Sequence, residues 1–119
     1  MSKIKNSKQY DLEERTLNFA KRVNQYVNKL PKTISNLENG KQLVRSAGSV
    51  GANYIEANES LSRKDFAMRA KICRKEAKES RFWIILTEPI ESELKEKEYL
   101  TNEALELTKI FGSIVEKSK

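Results

Sequence analysis

The 119-residue sequence contains no histidine. That removes the commonest general base and the commonest transition-metal ligand. With them go any Ser-His-Asp or Cys-His arrangement and the Glu-x-x-His pattern of di-iron bundles. The single cysteine excludes an internal disulfide and fits a reducing compartment. Only four glycines and two prolines argue against an all-β chain full of turns. Gly48 and Gly51 are not followed by the lysine of a phosphate-binding loop. No apolar run approaches the ~20 residues that a membrane-spanning helix needs. The opening MSKIKNSKQY lacks the apolar core of a secretory signal, so a cytoplasmic location is expected. With no catalytic set complete, no enzymatic activity, metal or cofactor is expected.

What the chain has in quantity is charge: 34% of residues are Asp, Glu, Lys or Arg, against 38% hydrophobic, with a net charge of +6. A basic balance favours an anionic partner. The length is that of one domain, residues 1–119. Residues 1–9 are polar and lysine-rich and read as a loose lead-in. Asp11 can start a first helix, over about 11–30, with the seam Leu12, Thr16, Phe19, Val23, Tyr26 and Leu30, stopped by Pro31. Ser35 and Glu38 match a capping box, and Asn39-Gly40 reads as a break before a second helix, over about 41–60. Its seam is Leu43, Ala47, Val50, Tyr54, Ala57 and Leu61.

Ser62 and Asp65 form another capping box, opening a third helix over about 63–88 with the seam Phe66, Ala70, Cys73, Ala77, Ser80 and Ile84. Residues 92–98 show no seam and read as a loop or frayed turn, and a fourth helix follows over about 97–116, with Leu100, Ala104, Leu107, Phe111 and Ile114 on its core face. Four amphipathic helices with short connections make an all-α, antiparallel up-down-up-down four-helix bundle the simplest architecture.

The second helix is unusual in its small residues. A glycine inside a helix costs about 1 kcal/mol relative to alanine, so Gly48 and Gly51 are expected to be repaid by close packing of a neighbour rather than to contact a ligand. On the third helix, Phe82–Leu86 (FWIIL) is apolar almost all round. Such a segment is either buried on every side or covered by another subunit.

The segments RSAGSVGANYIEA and DFAMRAKICRKEAKESRFWIILTEP carry a family resemblance. Through Arg45, Ser46, Ser49, Asn53 and Glu56, then Lys75, Glu76, Glu79 and Trp83, the chain resembles the small four-helix-bundle proteins encoded in intervening sequences of 23S ribosomal RNA genes. It is also similar to the accessory protein of diversity-generating retroelements. Ala57 stands where many relatives have glycine. The resemblance covers nearly the whole chain and implies a homo-oligomer of five subunits, nucleic-acid binding and no established activity. It also turns the reading of FWIIL toward coverage by another subunit.

Two groups of polar residues are candidates for function. Asn53 and Glu56, and likewise Glu76 and Glu79, are one helical turn apart, so packing of the second and third helices could join them with Arg45, Arg69 or Lys75. A magnesium or acid–base site is one reading; a structural network of Arg45, Asn53, Glu56, Glu76 and Glu79 that fixes helix register is preferred, because buried polar groups need partners. The second group is basic. Residues 1–36 carry eight basic and three acidic side chains, and residues 62–88 eight and four. Arg15, Arg22 and Lys29 share one flank of the first helix; Lys71, Arg74, Lys78 and Arg81 share one flank of the third. The acids are expected to cluster elsewhere, on the fourth helix. Such stripes are either solvated faces or phosphate-binding arrays. No aromatic ladder accompanies them, so sequence-nonspecific binding of RNA or DNA is expected, without base readout. The alternative is an adapter whose basic surface receives a nucleic-acid-processing protein.

Overall fold

The computed structural model describes residues 7–119, with side-chain surroundings from residue 11 onward. Four α-helices follow one another: α1 (Ser7–Asn28), α2 (Ile34–Asn58), α3 (Arg63–Leu86) and α4 (Leu94–Lys117), the last preceded by a single 3-10 turn, Glu91–Glu93. Residues that meet across each pair of helices run in opposite order. Thr16 lies against Gly51 and Val27 against Gly40; Arg45 reaches Glu76, and Asn53 meets Arg69; Arg15 meets Glu103 and Arg22 meets Glu96. The molecule is an antiparallel bundle of 45 × 27 × 18 Å.

Several boundaries differ from the expectations. Of the expected lead-in, residues 1–6 lie outside the described residues, and Ser7–Gln9 are already helical. Helix α2 begins at Ile34, capped by Thr33, whose hydroxyl accepts from the Asn36 amide at 3.1 Å. Asn39-Gly40 is therefore no break. Gly40 is buried, and a Cβ there would lie 3.1 Å from Val27 Cγ1, so the missing side chain makes room for α1 rather than ending a helix. The true pin of this corner is Asn36. Its amide donates to the Pro31 and Glu88 carbonyls (2.9 and 3.0 Å) and accepts from the Glu88 amide (2.9 Å), tying the start of α2 to the chain beyond α3. The periodicity puts Leu61 on the α2 seam, but α2 stops at Asn58 and Leu61 is 99% exposed. The residues read as a loop before α4 are mostly its first turns.

The core runs the length of the bundle: Phe19, Val23 and Tyr26 from α1, Leu43, Val50 and Tyr54 from α2, Cys73, Ala77 and Ile84 from α3, and Leu100, Leu107 and Phe111 from α4. Tyr54 and Phe111 meet edge-on at 5.5 Å, a favourable aromatic geometry. The buried Tyr26 hydroxyl has a partner in Thr87 Oγ1 at 2.7 Å. Small residues Ser46, Ala47, Ala70, Ala77 and Ser80 let α2 and α3 pack most closely, and the Ser46 and Ser80 hydroxyls meet at 2.8 Å. Contact between α1 and α4 is the sparsest of the neighbouring pairs. The two glycines of α2 part company. A Cβ on Gly51 would lie 3.0 Å from Thr16 Oγ1, so Gly51 is a close-packing residue; a Cβ on Gly48 would meet nothing within 4 Å. Packing within the chain therefore repays Gly51 and not Gly48.

Candidate nucleic-acid interface

The two basic stripes meet different fates, and α4 decides which. On α1, the Arg15 guanidinium donates to both carboxylate oxygens of Glu103 (2.7 and 2.9 Å), and Arg22 does the same to Glu96 (2.9 and 2.7 Å). Lys29 stands 3.6 Å from Glu93. Arg22 also lies over the Tyr99 ring, 3.7 Å from its centroid, a cation–π contact. These hydrogen bonds push both arginines' pKa values up and hold the Glu96 carboxyl below its ordinary range. The expectation that the acids lie apart from the α1 stripe is thus corrected: Glu96 and Glu103 of α4, with Glu93 just before it, face that stripe. The signal was present in the sequence. Arg15 and Arg22 are seven residues apart, as are Glu96 and Glu103, the register that two antiparallel helices need to pair twice.

The other side of α4 is different. Lys97, Thr101, Leu105, Thr108 and Gly112 recur at intervals of three and four, and no acid is among them. This flank faces α3: Arg74 Cδ lies 3.7 Å from where a Gly112 Cβ would stand. Lys71, Arg74, Lys75, Lys78 and Arg81 line a shallow groove with Leu105 and Thr108. None of these five cations enters an ion pair among the described residues. Lys71, Arg74, Lys75 and Lys78 are exposed, while Arg81 is half-buried. Toward the start of α3 the groove continues into a second, lined by Lys64, Asp65, Lys71 and Lys119 and sharing Lys71 with the first. From Lys64 to Arg81 the basic seam extends about 25 Å at ~1.5 Å per helical residue. Sequence reading missed Lys64 and Lys119, and set Lys75 among partners for the acids. Only the packing of α4 beside α3 reveals their common groove.

The polar network divides. Arg45 donates to Glu76 at 3.3 Å and also to Glu79, and the Trp83 indole N–H reaches Glu79 at 3.4 Å. Glu76 is only 7% exposed, so Arg45 supplies the counter-charge that its burial requires. Asn53 belongs to a separate contact, accepting from Arg69 at 2.9 Å and donating to the Ser49 carbonyl at 2.9 Å. The Glu56 side chain is exposed and joins neither. These contacts stitch α2 to α3. Among the described residues no cluster of His, Cys, Asp or Glu could hold a metal ion, and no helix is long and apolar enough to cross a membrane. Cys73 is buried, its thiol donates to the Val50 carbonyl at 3.4 Å, and burial pushes its pKa up to about 12. It is a core residue rather than a nucleophile.

A family model described as 23S rRNA-intervening sequence protein matches residues 8–113. Among solved structures, a protein of unknown function from the S23 ribosomal protein family of Bacteroides thetaiotaomicron VPI-5482 superposes with a TM-score of 0.75 at 30% identity. The match covers 92% of this chain and 98% of that one. No curated protein matches.

Proposed function

The chain belongs to the 23S rRNA-intervening sequence protein family, and we propose that it works as a non-enzymatic, oligomeric helix bundle that binds nucleic acid through the α3–α4 groove. One observation carries this reading: five cations line that groove, without an ion pair among the described residues, against an acid-free flank of α4. The α1 stripe contributes less, because α4 already neutralises it. Phosphate backbones are bound by such arrays without base reading. Assembly would multiply a modest groove into a strong site by raising effective concentration. The apolar residues left exposed where α3 stops and α4 starts support assembly: Phe82, Ile85, Leu86, Ile90 and Leu94 are each 43–55% exposed. Five subunits is the count that the family resemblance favours.

The test is binding to a random DNA duplex and to a structured RNA across a salt series. Each phosphate neutralised adds about 0.9 to the log-log salt slope on duplex DNA. Reversing Arg74 and Arg81 to Glu should weaken binding to all sequences alike and lower that slope by about 2. Glu98→Lys with Glu106→Lys is the proper control, since both acids are exposed and neither holds an α1 cation. If the parent binds nothing at low salt, the groove reading fails. The same exposed apolar end would then favour the second reading, an adapter for a nucleic-acid-processing protein.

A further inference from the structure

Two apolar surfaces stand exposed on different sides of the bundle. One is the end of α3 and the start of α4, with Phe82, Ile85, Leu86, Ile90 and Leu94. The other is a groove between α1 and α2, lined by Leu30, Pro31, Leu37 and Val44 together with Lys32 and Lys41. Their charges are opposite. From Phe82 to Leu94 the sequence holds three acids and no base. Lys29 takes up Glu93, but Glu88 and Glu91 are exposed and enter no ion pair among the described residues. No acid lines the groove. Lys32 is likewise without an ion pair among the described residues. Lys41 meets Glu38 of its own helix at 3.7 Å, with both side chains largely exposed, a weak tie. End against end would set acid on acid, and groove against groove would set base on base. End against groove is the pairing that charge favours.

Their levels match as well. Helices α2 and α3 run antiparallel with the same rise per residue, and Ser46 lies level with Ser80, their hydroxyls 2.8 Å apart. Counted outward from that pair, Phe82 stands level with Val44, and Leu86 with Gly40, which also lines the groove. Two surfaces at one level on different sides meet by rotation about an axis alongside the helices, with no shift along it. A contact repeated in that way closes into a ring, whereas one that joined opposite ends would run on as a filament.

We propose that the α1–α2 groove receives the exposed α3–α4 end of a second copy, head to tail. This rests on the assembly reading above and names the surface on which that end is seated.

The experiment mixes two variants, Val44→Glu in the groove and Phe82→Asp at the end. Both positions are exposed, and circular dichroism checks that each variant is folded. Each spoils one surface and keeps the other, so light scattering should find either alone as single chains of 13.7 kDa. Mixed in equal amounts, they should form pairs and go no further, the intact end of the first seated in the intact groove of the second. A second measurement uses milder variants, in case the charged ones perturb the fold. Val44→Cys and Phe82→Cys, treated together with a short bis-maleimide, should yield a mixed cross-linked pair, and neither should cross-link alone; Cys73 is buried and spared. Val44→Glu assembling like the parent, charged variants that stay single when mixed, or cross-links confined to like positions overturn the contact while assembly stands. A parent mass that keeps climbing with concentration overturns the closed, level arrangement. A parent that is monomeric at micromolar concentration defeats the assembly reading itself, and the contact with it.

Discussion

Gly48 and Gly51, three residues apart on α2, should answer the same added methyl group in opposite ways. Replacing a helical glycine with alanine gains about 1 kcal/mol from backbone propensity. At Gly48 nothing lies within 4 Å of the new Cβ, so the gain should appear in full. Unfolding entropy of ~2.1 cal/mol/K per residue comes to about 250 cal/mol/K for this chain, so 1 kcal/mol corresponds to roughly 4 °C in Tm. At Gly51 the Cβ would sit 3.0 Å from Thr16 Oγ1 and 3.3 Å from Thr16 Cβ. Thr16 is fully buried, and its hydroxyl is held by the Glu13 carbonyl at 3.0 Å, so it has little room to withdraw. Overpacking of this kind costs about 1–3 kcal/mol, which cancels or exceeds the gain. Gly51→Ala should therefore lie about 1–3 kcal/mol below Gly48→Ala in stability. Urea unfolding followed by circular dichroism at one protein concentration measures both. Thr16→Ala removes the nearer contact, so the double variant with Gly51→Ala should recover part of the loss as a coupling energy. If Gly51→Ala stabilises as much as Gly48→Ala, the close crossing of α1 over α2 is wrong. If Gly48→Ala destabilises, the outer face of α2 is not open in the assembled protein.

Further outcomes follow from particular contacts. Reversing Phe82 and Leu86 to Asp should reduce the mass seen by light scattering to the 13.7 kDa of one chain; a parent that is already monomeric at micromolar concentration removes the assembly proposal. Arg22 holds the Glu96 carboxyl below its ordinary value of 4.5. A depressed folded pKa gives stability that is present above the unfolded value and lost as pH falls through the folded one. Acid should therefore destabilise the parent more than Glu96→Gln below about pH 4.5, by no more than about 1 kcal/mol for so exposed a pair; parallel pH profiles would refute the pairing. Cys73, with its thiol pushed up to about 12, should resist thiol reagents at neutral pH until the protein is unfolded; modification at full rate in the native state would place it outside the core.

Apolar periodicity made the bundle legible. Leu43, Ala47, Val50 and Tyr54, and Leu100, Ala104, Leu107 and Phe111, alternate at helical spacing and are all buried. Local signals misled where tertiary packing overrode them. Asn39-Gly40 has the composition of a break, yet Val27 fills the space beside Gly40 and the helix runs through. Leu61 continued the periodicity of α2 past its end, because spacing alone does not register where Asn58 stops the helix. The candidate site was half legible. Which residues share a flank follows from one helix at a time, and both basic stripes were visible in that way. Which flank faces acid depends on the pairing of two helices distant in sequence, such as Arg15 with Glu103. Arg81 could not be distinguished from Arg74 before the burial of its Nε was known.

The uneven attachment of α1 sets an order of opening. Its contact with α2 and with α4 is less extensive than the contact of α3 with either, and beside the shared apolar core its contacts with α4 include two bidentate ion pairs. Cooperative units with fewer buried contacts exchange their amide hydrogens sooner. The amides of α1 should thus lose protection before those of the other three helices, and sooner in high salt, where ion pairs are screened. Folding, run in reverse, would have α2–α4 form a three-helix platform onto which the N-terminal helix docks last.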